Sequence, residues 1–136
     1  MAIYANIQQA LETKLKAFAD LKGYPVAWPN VRYDPSTAPY LTSYNLPAET
    51  STLGLSIGSS DDYSGIFQVD VRCPKGNGGN DSRTITNEVI AEFSKGSEQI
   101  ANTTTVLIEQ SWASGAFDID DAWFSVPVSI RYRAIS

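Results

Sequence analysis

Near the start of the chain, apolar side chains recur at three- and four-residue steps: Ile3, Ile7, Leu11, Leu15 and Phe18, with Leu21 closing the series. Gln8, Glu12, Lys16 and Asp20 lie off that stripe. One apolar face sustained over about five turns predicts an amphipathic helix, and Gly23 followed by Pro25 is a suitable stop. The next stretch, YPVAWPNVRYDPSTAPY, carries four prolines between Tyr24 and Tyr40. Proline cannot donate to a ladder, so only a short edge strand near Val26 to Trp28 is expected there.

The periodicity then changes to two. Residues Tyr40 to Ile57 read as strand broken by Pro47 and Gly54, and GSSDDYSG reads as a turn from Gly58 to Gly65. In GIFQVDVRC, Phe67, Val69, Val71 and Cys73 share one face while Gln68, Asp70 and Arg72 share the other, the mark of a half-buried antiparallel strand. Ile85, Val89, Ile90 and Phe93 make the stripe of a second helix. Asn80, Asp81 or Ser82 caps its start and Gly96 follows its end. Thr103 to Trp112 is rich in β-branched residues and reads as a strand, GAFDIDDA as a turn, and WFSVPVSIRYRAI as a closing strand. In that last strand Phe124, Val126, Val128, Ile130 and Tyr132 face the core, and Ser125, Ser129, Arg131 and Arg133 face out. Pro127 points to an edge position or a bulge. The expected architecture is α+β: two helices packed on one face of a mainly antiparallel β-sheet, in the order helix, strand, β-hairpin, helix, β-hairpin.

Composition narrows the function. The 136 residues fit one domain spanning 1–136, and 43% hydrophobic with 18% charged residues is ordinary globular composition. A formal charge of −5 argues against nucleic-acid binding through a general basic field. The chain has no histidine, which removes every Ser-His or Cys-His pair and the usual zinc ligand. Its one cysteine, Cys73, falls on an apolar face and reads as a small core residue. The polar, amphipathic start is not that of a signal peptide, and no run of 18 apolar residues occurs.

Three local patterns suggest chemistry. RCPKGNGGNDSRTITNE, from Arg72 to Glu88, has the strand–glycine loop–helix order of a phosphate site. Yet Lys75 precedes the first glycine, Asn80-Asp81 follows the last, and Asp81 would occupy the helix N–H groups an anion needs. Lys75 and Arg83 leave a weak anion site open; a contact loop is the stronger reading. Asp118, Asp120 and Asp121 lack EF-hand spacing and read, like Asp61-Asp62, as solvated turns. Tyr24, Trp28, Tyr33, Tyr40 and Tyr44 concentrate the aromatics, either to pin a proline-rich loop or to form a sugar or base platform, and the last four could serve a small carbohydrate- or peptide-binding module. No enzyme, cofactor or metal site is expected from these residues.

Taken together, IYANIQQALETKL, PYLTSYNLPAET, GLSIGSSDDYSGIFQVDVRCPKGNGG with the helix ending in EFSKG, and the closing hairpin resemble the phage tail terminator proteins of the lambda minor tail protein U type. The likeness runs over nearly the whole chain and is most specific in G-I-F-Q-V-D-V-x-x-P-x-G-x-G, Gly65 to Gly78. The resemblance implies an α+β structural protein of the virion, assembled in the host cytoplasm, that caps the tail tube as a hexameric ring at its head-proximal end. It implies as partners further copies of itself, the major tail tube protein and a head-completion or connector protein, with DNA passing through the lumen without specific binding. Under it, Leu53, Leu55, Ile57, Lys75, Asn77, Asn80 and Arg83 are the candidate subunit or tube contacts, and Asp61, Asp62, Asp118, Asp120 and Asp121 the candidate lumen acids. A head-closure or neck connector protein, a small ligand-binding module using the four aromatics, and a small carboxylate hydrolase stay open as alternatives.

Overall fold

The computed structural model describes residues 3–29, 31, 33, 38–48, 51–52, 61–76 and 80–135. Helix α1 runs Ile3–Lys22 and ends at Gly23, whose φ of 79° continues the chain without the cost a Cβ would add. Strand β1 (Val26–Ala27) pairs parallel with β2 (Tyr40–Pro47), and β2 pairs antiparallel with β4 (Asp61–Pro74); β3 (Ser51–Thr52) also lies on β4. After α2 (Asn80–Glu92) come β5 (Glu98–Ala101), β6 (Thr104–Ala113), β7 (Phe117–Asp118) and β8 (Trp123–Ile135). The sheet order is β1-β2-β4-β8-β6-β5, with β7 on β8. Two helices and a mixed sheet make this an α+β fold.

The period-two alternation decides which face is buried. Phe67, Val69 and Val71 of β4 stand opposite Ile130, Val128 and Val126 of β8. All but the partly buried Val126, which packs against them, join Ile7, Leu11 and Leu15 of α1, Val89 of α2 and Phe93 just after it in one cluster of buried side chains. The rings of Phe67 and Phe93 lie 6.0 Å apart. The helices are also tied to each other: Lys14 pairs with Glu92 at 3.3 Å. Tyr24 donates to Glu88 at 2.5 Å, while Lys22 pairs with the other oxygen at 3.0 Å. The hydrogen bond from Tyr24, then that from Lys22, holds the Glu88 carboxyl below its usual range. Burial first, and Glu88 second, push the Tyr24 hydroxyl up to about 12.

Several expectations need correction. Leu21 is 81% exposed. At 100° per residue it lies in line with buried Ile3, so rotation does not expose it; it stands in the last turn of α1, which ends at Lys22, while Ala19 is buried. The expected turn from Gly58 to Gly65 gives way to strand from Asp61 onward, because β8 is long enough to pair with β4 as far as Asp62↔Ile135. Gly65 lies inside that strand for a packing reason: a Cβ there would sit 2.7 Å from the Leu46 carbonyl and 2.7 Å from the Tyr132 hydroxyl. Strand β5 was not expected at all. Pro127 is on a central strand, not an edge. Its carbonyl accepts from the Ser114 N–H at 2.9 Å, and the N and O of a strand residue point the same way. The missing N–H therefore faces residues 114–116, where the ladder passes from Ala113↔Val128 to Phe117↔Ser125 with one extra residue. The interruption is what a proline there requires.

Candidate interaction surface

The outer face of the sheet, away from the core cluster, is where this chain departs from a simple polar-out pattern. Tyr44, Gln68 and Ser129 form one row across β2, β4 and β8; Thr42, Asp70 and Pro127 the next; Tyr40, Arg72 and Ser125 a third. Of these, Tyr40, Thr42, Asp70 and Ser125 are buried although none contributes to the core cluster. Tyr33 and Tyr40 rings meet at 4.8 Å and Tyr40 and Trp123 at 5.2 Å, spanning this end of the face. Asp70 accepts from Gln68 at 2.8 Å and lies 3.7 Å from the Arg72 guanidinium, which in turn donates to the Tyr44 hydroxyl at 3.1 Å. The hydroxyls of Thr42, Ser43 and Ser125 and the Nε of Arg72 are buried with no hydrogen-bond partner among the described residues.

Beside this network is a cleft of about 280 Å³. Trp28, Tyr33, Tyr40 and Tyr44, the four aromatics singled out in the sequence, all line it, together with Thr42, Ser43 and Arg72. Sequence reading found the aromatics by their density but missed Thr42 and Ser43. Their positions in β2 give no signal until the pairing with β4 is known.

The candidate contacts and acids fall at two ends of β4. Lys75 follows Pro74; its N–H donates to the Ala122 carbonyl at 2.8 Å, and its ammonium pairs with Asp118 at 3.1 Å. A candidate contact and a candidate lumen acid are therefore one ion pair. Asp120 accepts at 2.7 and 2.9 Å from the N–H groups of Ala122 and Trp123 and so fastens the turn before β8. Asp121 is exposed beside it, and Arg83 is exposed on α2. Asp61 and Asp62 start β4, roughly 40 Å from that end at about 3.3 Å per residue. Asn80 opens α2, whereas Leu53, Leu55, Ile57 and Asn77 lie outside the described residues. Asp81 stands in the first turn of α2, where its carboxylate meets the helix dipole an incoming phosphate would need. Cys73 is buried on the core face; burial first, and Asp81 second, push its thiol up to about 11, so it is no ready nucleophile.

A solved structure of a protein without a functional name is 27% identical, covers 94% of this chain and 92% of its own, and superposes with a TM-score of 0.77. A chain in the virion of a native gene transfer agent particle shares the fold, with a TM-score of 0.63, 15% identity and coverage of 99% and 98%. No curated protein sequence matches. Phage tail terminator proteins match residues 6–132 as a family, and so the chain belongs to the phage tail terminator family and is a structural protein of the phage tail.

Proposed function

We propose that this protein closes the tail tube as a ring, with six copies as the expected number, stopping tube polymerisation and offering the surface on which the head is joined. The family match over residues 6–132 carries this reading, and the likeness to a chain of a virion particle supports it. Its partners on this reading are further copies of itself, the tube protein and a head-completion protein. A ring closes only through a heterologous contact, in which one patch meets a different patch of the next copy. The loop from Lys75 to Asp81 and the segment from Glu49 to Gly65 are the proposed contributors.

Six copies at −5 each carry −30 formal charges, a sign that lets DNA slide through a lumen instead of sticking. Asp61 and Asp62 at one end of β4, and Asp118, Asp120 and Asp121 by the other, are the acids proposed to face that lumen. Purified protein mixed with growing tail tubes and viewed by electron microscopy is expected to give capped tubes of limited length. Replacing Gly76 to Asn80 by a two-residue turn should leave the fold intact and abolish capping. Tubes that keep growing in the presence of the intact protein would overturn the proposal, and capping by the shortened variant would remove the loop from it.

A further inference from the structure

The aromatic cleft opens where β1 ends. After Ala27 the chain leaves the sheet at Trp28 and Pro29, and from Ser43 onward no strand covers that edge of β2 among the described residues. Leu41 donates to the Pro25 carbonyl on this side at 2.9 Å, so by strand alternation Ser43 and Asn45 direct their backbone groups the same way. The Thr42↔Ala27 pairing engages the Ser43 N–H. The Ser43 carbonyl and the Asn45 N–H and carbonyl are left at the open edge, and Pro47, with no N–H, ends it.

Three observations meet at this place. The rings of Trp28, Tyr33, Tyr40 and Tyr44 wall the cleft and suit a proline or aliphatic side chain. Thr42 lines it too; it is 6% exposed, with a hydroxyl that has no partner among the described residues, while Ser43 turns its side chain to the core face and borders the cleft with its backbone. Arg72 also lines the cleft; its guanidinium is bonded to Tyr44 and Tyr40 and pairs with Asp70 at 3.7 Å, and its Nε is left without a partner among the described residues. Open backbone groups at the rim recognise a peptide, not a sugar. Because β1 already occupies the ladder beyond Ser43, a strand laid on this edge and running toward Arg72 must stop there. We propose that the cleft binds the C-terminal end of an extended peptide from another protein, its backbone paired with Ser43 and Asn45 of β2, an apolar side chain among the aromatic rings, and its terminal carboxylate on Arg72. This role is independent of tube capping and stands or falls on the cleft alone.

The probe is a library of random heptapeptides displayed with free C-termini, selected on the full-length protein. The selected sequences are then made as free acids and as C-terminal amides, and affinities are measured by fluorescence anisotropy. The intact protein should bind the acid about tenfold more tightly than the amide, the scale of a charge-assisted hydrogen bond. Arg72→Met should weaken the acid to the level of the amide, leaving amidation without effect. Thermal unfolding checks that the variant is folded; should it not be, Tyr44→Phe, which removes one of the two hydroxyls that hold Arg72, should still shrink the acid-to-amide ratio. Absence of any enriched peptide, equal affinity for acid and amide, or an unchanged ratio in both variants overturns the proposal. So does selective binding of a glycan on an array in a manner that Trp28→Ala abolishes, which would assign the cleft to sugars.

Discussion

The two faces of the β4–β8 pair come from one alternating pattern, yet they are built on opposite terms. On the core face Phe67, Val69, Val128 and Ile130 are completely buried in one apolar cluster with the helices, into which β2 turns the polar Ser43 and Asn45 at its margin. On the outer face, burial at the Arg72 end falls on polar groups, several of them lacking partners. An apolar side chain removed from water gains roughly 25 cal/mol per Å². A hydroxyl removed from water without a partner loses free energy, on the order of 1–3 kcal/mol by mutational measures. The core face is therefore arranged for stability, whereas the outer face holds an uncompensated cost that a ligand or partner would relieve.

The sharpest break between the faces is a pair of neighbours on β4. Phe67→Ala removes a fully buried ring that packs on Phe93 and should cost about 3–5 kcal/mol. Gln68→Ala, on the outer face, should stay within about 1 kcal/mol, since only its bond to Asp70 is lost. Urea denaturation of the two variants measures the difference. Similar losses would mean that the outer face is as much a core as the inner.

Cys73 tests the core face by pH. Its thiol is raised from about 9 to about 11 in the folded protein. Stability attached to a raised pKa is fully present below the unfolded value and is lost as pH climbs to the folded one. Between pH 9 and pH 11 the protein should lose about 2–3 kcal/mol through this group, and Cys73→Ala should flatten that part of the profile. Iodoacetamide at pH 8 should leave the folded protein unmodified and label it once unfolded in urea. Rapid labelling of the folded chain would show that Cys73 is not enclosed.

How far these faces were legible beforehand depends on what each element answers to. Helix α1 and the alternation of β4 and β8 were readable because each answers to a single local requirement, one apolar stripe or one apolar side. Leu21 keeps the phase of the stripe and is exposed all the same, because periodicity gives the angle of a side chain and not whether the last turn of the helix still has a neighbour to pack on. Strand β5 escaped notice with one apolar side chain at each of Ile100 and Ala101, but Asn102, at a φ of 55° between Ala101 and Thr104, was an available hairpin signal. Of the site, the aromatics were legible by density. The conjunction of Thr42, Asp70 and Arg72 was not, because it exists only through the cross-strand register of β2 with β4.

Gly65 marks the place where the sheet is held tightest. Gly65→Ala pushes a methyl group onto the Leu46 carbonyl and the Tyr132 hydroxyl, the latter already fixed by donating to Asn45 at 2.8 Å. A cost of about 1–3 kcal/mol is expected, read as a fall in the urea midpoint. Tyr132→Phe should recover part of it in the double variant by removing one of the two contacts. No recovery would place the strain wholly on the backbone of β2.

The smallest expected effect separates the faces by sign. Thr42→Val keeps the shape of the side chain and replaces a buried hydroxyl that has no partner among the described residues by a methyl group. The change should raise stability by about 1 kcal/mol, a rise in the melting temperature of roughly 3 °C for a chain of this length. If the cleft binds a peptide, the same substitution should weaken that binding, because the hydroxyl is then an unused hydrogen-bonding group in the free protein and a used one in the complex. A gain in stability together with a loss in affinity is hard to obtain from a residue that only packs. A drop in stability would instead mean that Thr42 already has a partner in the free protein, and the outer face would lose its distinction from the core.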